Sequence, residues 1–155
     1  MKIIEKKHRL PQRAYTGRVI VSFTLCIKNK AQFFVDHKIF STFKGMILTE
    51  AKAHNCEILV YLFMPDHCHI LLQGKNKDSQ LLNVINRFKQ RSGYWLSKHS
   101  SGVRWQKDYY DHILRKDGDV QKQVKYILNN PIRKQIVGNW KQYQFKGSTV
   151  YNIYK

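Results

Sequence analysis

Acidic residues are scarce in this 155-residue chain. Asp and Glu number 10 and Lys and Arg number 28, which gives a formal net charge of +18 at pH 7. Such an excess is unusual for an enzyme of small metabolites, and it favours a polyanionic partner, most simply a nucleic acid. Aromatic residues make up 13% of the sequence, which is enough for base stacking as well as for core packing.

The sequence also lacks the marks of membrane, secreted and zinc-ribbon proteins. No apolar run approaches the roughly 18 residues of a membrane-spanning helix, and the basic N-terminus has no signal-peptide core. Cys26, Cys56 and Cys68 are odd in number and lack Cys-x-x-Cys spacing, so no disulfide framework is expected. A Gly-x-x-x-x-Gly-Lys loop is missing, so we expect no nucleotide cofactor. A cytoplasmic location follows as the expectation.

Apolar periodicity predicts a small α+β domain. Alternating apolar residues predict a first strand, and helical spacing then predicts a helix that begins with two phenylalanines. A nearly continuous apolar segment predicts a central second strand, joined to a third strand by a Pro-Asp turn. In order, these predicted elements are a strand at 18–27, a helix at 33–54, and strands at Cys56–Met64 and 67–73.

Two further helices complete the prediction. Ser79 is a candidate cap for the second helix, and a third helix should run over residues 119–130 until Pro131 ends it. The polar, glycine-bearing stretch at 99–118 is predicted to lack regular structure. We therefore expect one domain over residues 1–155, with a basic N-terminal arm and a basic, aromatic C-terminal tail. Its fold should be a ferredoxin-like antiparallel sheet with helices packed on one face.

The third predicted strand carries two histidines. Residues two apart on a strand point to the same face, so His67 and His69 should project together while Cys68 points away. Two neutral imidazoles side by side form half of a divalent-metal site. A His-x-His pair on a strand is as often structural, and both readings stay open here. Asp66 fits either an imidazole-orienting carboxylate or a plain turn residue, and we favour the turn residue.

The third predicted helix carries a tyrosine on its polar side. Tyr126 falls roughly 145° from the centre of the stripe formed by Val120, Val124, Ile127 and Leu128. Asn130, one turn later, shares its side, and Gln123 lies close to both in direction. A tyrosine in this position is either exposed to solvent or an oxygen nucleophile, and the asparagine carbonyl suits a hard cation.

In their order along the chain, these features resemble the single-tyrosine HUH transposases, in which two histidines flank a hydrophobic residue. The likeness is strongest to the REP-associated tyrosine transposases, and it covers nearly the whole chain. Four segments carry it: RLPQRAYTGRVIVSFTLCIKNKAQFF, YLFMPDHCHILLQG, WQKDYYDHILR and VKYILNNPIRKQIVGNW.

The resemblance implies a role for each site residue. His67 and His69 match the metal ligands, Asn130 matches the polar third ligand, and Tyr126 matches the nucleophile of a site that uses Mg²⁺ or Mn²⁺. Many relatives have Gln in place of the asparagine and Asn in place of Asp66. Three further aromatic residues rank lower: Tyr109 and Tyr110 are rival nucleophiles, and His112 is expected to be structural or DNA-contacting.

The resemblance implies a transposase that cleaves and rejoins single-stranded DNA at hairpins through a 5′-phosphotyrosine intermediate. It also implies a bacterial cytoplasmic protein that is associated with the nucleoid when it is bound to DNA. The alternative is a non-catalytic protein that binds DNA hairpins. A third hypothesis, an RNA-binding domain, has less support because the aromatic RNP pattern is absent. The resemblance leaves a homodimer and a monomer open, with a slight preference for the homodimer. The basic residues expected to contact DNA are Arg9, Arg13, Arg87, Lys89, Arg91, Lys122 and Lys125.

Overall fold

A computed structural model describes residues 9–153 of the chain. Five antiparallel strands form one sheet in the order β4-β1-β3-β2-β5. The strands are β1 (Ile20–Cys26), β2 (Cys56–Met64), β3 (His67–Gly74), β4 (Tyr110–Leu114) and β5 (Lys146–Gly147). The helices are α1 (His37–Ala53), α2 (Leu81–His99), α3 (Asp117–Leu128) and α4 (Asn130–Arg133), with 3-10 turns at Gln12–Tyr15, Lys28–Lys30 and Trp140–Gln142.

The strand register separates the side chains onto two faces. In β1, alternate residues such as Phe23 and Leu25 are fully buried and oppose Ile70 and Cys68 of β3. These side chains lie under α1 and α2, and we call this side the helix-pair face. The intervening residues, which include His67 and His69 of β3, point to the other side, which we call the histidine face.

Each face has its own apolar core. The helix-pair face is rich in aromatic rings that meet edge to face, among them Phe34, Phe43 and Phe63. The core of the histidine face is smaller and mainly aliphatic, with Ile127 and Leu128 of α3 in one cluster with strand residues. The strand members of this second cluster include Val60, Leu62, Leu71 and Leu114.

The predicted α+β antiparallel fold is confirmed, with one difference in how the helices are layered. α1 and α2 pack on one face as expected, whereas α3 lies on the opposite one. The helix carrying Tyr126 therefore covers the same face from which the two histidines project. No helix within residues 9–153 is long and apolar enough to cross a membrane. Cys26, Cys56 and Cys68 are free thiols, as predicted.

Several predicted boundaries were wrong for identifiable reasons. α1 begins at His37 and not at residue 33, because the N–H groups of Phe33 and Phe34 both donate to the Pro65 carbonyl. Asp36 caps the helix by accepting from two backbone N–H groups. The 99–118 stretch contains β4, whose apolar alternation is hidden by the buried polar residue Asp111.

Two residues that were predicted to mark helix ends have other roles. Ser79 does not cap α2, which begins after Gln80; the Ser79 hydroxyl instead donates to the Asn55 carbonyl and accepts two N–H groups of the preceding loop. Pro131 does not end α3, which stops at Leu128, but lies in the first turn of α4, where a missing N–H costs little.

The ends of the chain differ from the predicted arm and tail. The C-terminal segment is part of the domain: it supplies β5, and the buried Tyr143 hydroxyl donates to the Phe63 carbonyl. The first eight residues of the predicted basic arm lie outside the described residues. The described part of that arm packs on the domain, with Tyr15 buried in the core of the helix-pair face.

Candidate active site

Three side chains selected from the sequence converge on the histidine face. His67 and His69 extend from the start of β3, with ring centroids 4.9 Å apart. The amide nitrogen of Asn130, at the start of α4, lies 2.7 Å from Nε2 of His69 and 3.4 Å from Nε2 of His67. The two ring nitrogens therefore point towards one small space, which the asparagine amide closes from the helical side.

Contacts behind the rings determine which nitrogen faces that space. The Asp66 carboxylate accepts a hydrogen bond from Nδ1 of His67 at 2.7 Å, and Nδ1 of His69 lies 3.1 Å from the Thr24 hydroxyl. A carboxylate only accepts, so the hydrogen of a neutral His67 is on Nδ1 and the lone pair is on Nε2. The preferred view of Asp66 as a plain turn residue was therefore wrong, because its side chain orients an imidazole.

The electrostatics favour a neutral imidazole at His69. Burial, followed by the positive charges of His67 and Arg133, lowers the pKa of His69 to about 3. The hydrogen bond from His67 lowers the pKa of Asp66, which is therefore a carboxylate at neutral pH. Residues 9–153 contain no group of three or more His, Cys, Asp and Glu side chains that could hold a metal. A third protein ligand beside the two histidines would be the Asn130 amide oxygen, reached by rotating that amide.

This donor set fits a divalent cation. Two imidazole nitrogens with available lone pairs and one amide oxygen leave coordination positions for substrate and water oxygens. Both imidazoles have an orienting partner, as is usual for histidine ligands of metals. The identity of the metal and the ligand roles of the three residues stay predictions.

Tyr126 lies on the solvent side of α3, as its position off the apolar stripe predicts, and it is 38% exposed. The Arg133 guanidinium lies 4.0 Å from the centre of its ring and donates to its carbonyl. Asn129, which links α3 to α4, has right-handed helical angles of φ −86° and ψ −3°. The chain thus stays close to helical from Tyr126 to Asn130, which places the two residues about one turn apart.

The rival aromatic residues occupy different faces. Tyr109 is buried on the helix-pair face, where its hydroxyl donates to Asn86 at 2.8 Å and its ring meets Phe23 edge to face. Burial raises its pKa, which makes it a poor nucleophile. Tyr110 pairs with Thr24 in the register and so faces the histidine side, as does the exposed His112 two residues on.

The predicted DNA-contacting cations fall into two groups. Four of them contact other parts of the domain. Arg9 pairs with Asp111 at 3.2 Å, and Arg87 and Arg91 pair with Glu50 at 3.9 and 3.6 Å. Lys89 donates hydrogen bonds to the backbone carbonyls of Gln106 and Lys107. Lys89 points to the 104–109 segment and the two arginines point to α1, so these three residues do not share one face of α2. Arg13, Lys122 and Lys125 are exposed, and their DNA-binding role stays a prediction.

Of two polar residues next to the site, Thr24 was not selected from the sequence, whereas Gln123 was placed on the side of its helix that carries Tyr126. Thr24 supports His69, and Gln123 donates to the Ser22 hydroxyl at 2.9 Å, which ties α3 to β1. The sequence could have indicated Thr24, because this polar residue lies in β1 on the face opposite the apolar side chains of that strand. Tyr110 was predicted only as a rival nucleophile, and its place on the histidine face depends on β4, which was not predicted.

A family model described as transposase, IS200 like, matches residues 16–130, the span that contains both histidines, Tyr126 and Asn130. The chain belongs to this family. A REP-associated tyrosine transposase of Haemophilus influenzae is 22% identical over 158 residues, covering 92% of this chain and 89% of that protein.

Solved structures of transposases have the same fold. A REP-associated tyrosine transposase bound to a REP hairpin superposes with a TM-score of 0.70 at 18% identity, covering 97% of this chain and 90% of the other. A transposase from Deinococcus radiodurans R1 gives a TM-score of 0.53 at 22% identity, covering 80% and 96%. These likenesses show that the chain shares the fold of both solved structures.

Proposed function

We propose that this transposase cleaves and rejoins single-stranded DNA at hairpin-containing sites, with Tyr126 as the nucleophile. The observation that carries the proposal is the convergence of His67, His69 and Asn130, with an exposed tyrosine about one helical turn before the asparagine. A protein that only binds DNA needs neither two oriented imidazoles nor an exposed phenol one helical turn from the asparagine that contacts them.

The proposed reaction conserves bond energy. The Tyr126 hydroxyl oxygen attacks the phosphorus atom and loses its proton to solvent. The bond from phosphorus to the 3′ oxygen breaks, and that oxygen takes up a proton to become a free 3′ hydroxyl. The products are a 5′-phosphotyrosine ester and a 3′ end, and attack of a 3′ hydroxyl on the ester reverses the step without ATP. The Arg133 guanidinium lies 4.0 Å from the centre of the phenol ring, and this cation–π contact helps to hold the ring in place.

We propose that Mg²⁺ or Mn²⁺ is held by His67, His69 and Asn130. When bound, such an ion neutralises charge on the phosphate oxygens. The task of Asp66 and Thr24 is to keep the two rings in the tautomer that presents Nε2.

The hairpin is proposed from likeness and charge. The structural neighbour is bound to a REP hairpin, and the net charge of +18 suits a polyanion. Exposed Arg13, Lys122 and Lys125 are candidate phosphate contacts. A homodimer remains part of the proposal, to be checked by light scattering with and without DNA.

A covalent-adduct assay tests this function. The protein is incubated with labelled hairpin oligonucleotides and Mn²⁺, and adducts are separated on a denaturing gel. We expect an adduct in the wild type and in Tyr94→Phe, a control that removes an exposed α2 hydroxyl, and none in Tyr126→Phe. An adduct that persists in Tyr126→Phe would move the nucleophile to Tyr110. Binding without an adduct for any hairpin would establish the non-catalytic alternative.

A further inference from the structure

Three basic side chains line a recess that the site described above does not use. Lys28, Arg104 and Lys107 surround a recess of about 520 Å³, together with the half-buried Tyr110. All three cationic residues are exposed, and none forms an ion pair within the part of the chain that the structure describes. They differ in this from Arg9, Arg87 and Arg91, whose charges are matched by carboxylates.

The recess lies at the end of the sheet that carries the histidines. β1 ends at Cys26 opposite His67, where β3 begins, and β4 begins nearby at Tyr110. Tyr110 pairs with Thr24, whose hydroxyl contacts His69, so one cross-strand row joins the wall of the recess to the candidate metal site. α3 also runs towards this end, since it follows the far end of β4 and leads to Asn130.

Backbone hydrogen bonds hold the basic residues in place. The Ile27 N–H donates to the Asp66 carbonyl at 2.9 Å, so Lys28 follows directly from the turn that supports His67. The Lys28 N–H donates to the Arg104 carbonyl at 2.8 Å, which joins the two walls of the recess. Asn29 and Lys30 both have left-handed backbones, with φ of 62° and 54°. Two such residues in succession are costly, and they persist only where the surroundings impose them.

We infer that this recess binds backbone phosphates of an unpaired DNA strand, next to the phosphate that reacts at the histidine face. The inference rests on the proposed function for the position of the reacting phosphate. A recess of this volume admits a nucleotide of a single strand. The strand that reacts in the proposed function is unpaired, and its phosphates can lie along such a recess. Three exposed cations around one recess then supply the charge that successive phosphates require.

The salt dependence of binding tests the inference without any chemistry. Both variants are made in a Tyr126→Phe background with EDTA, and binding of a fluorescein-labelled oligo(dT) strand is measured by anisotropy over a range of salt concentrations. The recess variant is Lys28→Gln/Arg104→Gln/Lys107→Gln. The control is Lys52→Gln/Arg115→Gln/Lys77→Gln, which removes the same charges from exposed positions near the other end of the sheet.

We expect the recess variant to lower the slope of log K against log salt by about 2, since each phosphate contact of a single strand contributes about 0.7. The matching loss of affinity is on the order of 100-fold at about 0.1 M salt. The slope and the affinity of the control variant should stay close to those of the Tyr126→Phe parent. Equal slopes for the two variants would overturn the inference. So would a loss confined to a blunt duplex probe. If the triple variant unfolds, as judged by circular dichroism, Lys28→Gln alone should lower the slope by about 0.7.

A second measurement locates the contact. For this measurement both triple variants retain Tyr126. A neutral methylphosphonate in place of the phosphate next to the cleaved linkage should reduce the adduct yield of the control variant. The yield of the recess variant should fall much less, because the cations that contact this phosphate are already gone. Equal sensitivity in both would place the recess away from the reacting phosphate. Absence of any adduct would contradict the proposed chemistry, while the salt slopes would still decide whether the recess binds DNA.

Discussion

On the helix-pair face, neighbouring strands present aromatic and aliphatic side chains to two long helices, and nearly all of them are fully buried. On the histidine face, the same strands present Ser22, Thr24 and His69 beside a smaller aliphatic cluster. The difference follows from alternation within single strands: in β3, Cys68 and Ile70 point to one side while His67 and His69 point to the other. One face can therefore supply most of the folding free energy, while the other holds polar groups that a purely structural sheet would not need.

The largest effect should come from the helix-pair face. Phe34 is fully buried, and its ring centroid lies 5.0 Å from that of Phe63 and 5.1 Å from that of Phe43. We expect Phe34→Ala to lower the free energy of unfolding by about 3–5 kcal/mol, because it removes apolar burial and leaves a cavity. Urea denaturation measures this. The control Tyr94→Ala, at a 67% exposed site on α2, should change it by no more than about 0.5 kcal/mol. A loss below about 1 kcal/mol for Phe34→Ala would contradict this ranking of the two faces.

The helix-pair face also contains a buried polar cluster that makes its stability depend on pH. Tyr15 donates a hydrogen bond to Asp111, whose carboxylate pairs with Arg9. Burial and the hydrogen bond to this carboxylate raise the pKa of Tyr15 from 10.0 to about 12. The folded state therefore keeps a proton that the unfolded state releases. The stabilisation is complete below pH 10, and it falls as the pH rises towards about 12.

The comparison of wild type with Tyr15→Phe isolates this effect. Between pH 10 and about 12, the wild type should lose more unfolding free energy than Tyr15→Phe, by about 2 kcal/mol at most. Parallel declines in the two proteins would show that Tyr15 does not carry the pH dependence. Thermal unfolding followed by circular dichroism at several alkaline pH values gives both curves.

Periodicity was enough to predict the three central strands and the histidine pair, because the face on which a residue lies depends only on its neighbours along the chain. The same logic placed Tyr126 off the apolar stripe of α3, where the structure has it. β4 was missed because Asp111, the second residue of this short strand, is a carboxylate in an apolar position. Arg9 and Tyr15, both far away in sequence, contact this carboxylate and help to make its burial tolerable.

The partners of the basic residues were equally hidden from the sequence. Arg87 and Arg91 were predicted to contact DNA, but in the structure they contact Glu50, which belongs to a different helix. Lys28 and Arg104 did not stand out at all, since they are distant in sequence and are joined by a backbone hydrogen bond. Charge can be counted from a sequence, but whether a charge is already matched depends on tertiary contacts.

The smallest effect on folding, and the sharpest contrast between the faces, is expected at Asp66. Its carboxylate is partly exposed and orients His67. We expect Asp66→Ala to weaken Mn²⁺ binding about 10–100-fold, because an imidazole without its partner is free to turn or to change tautomer. Asp66→Asn keeps a carbonyl oxygen that can accept from Nδ1, so it should retain most of the affinity. Electron paramagnetic resonance titration of free Mn²⁺ measures both, with Asp78→Ala, an exposed carboxylate near the other end of the sheet, as control.

These variants separate orientation from stability. The unfolding free energy of Asp66→Ala should stay within about 1 kcal/mol of the wild type, in contrast to the loss in Phe34→Ala, because a partly exposed ion pair contributes little to folding. If Asp66→Ala binds Mn²⁺ as tightly as Asp78→Ala, the carboxylate does not position a ligand. If Asp66→Asn is as weak as Asp66→Ala, negative charge and not the hydrogen bond is what His67 requires. Either result would change the account of the histidine face and leave that of the helix-pair face intact, because Asp66 is not part of the aromatic core.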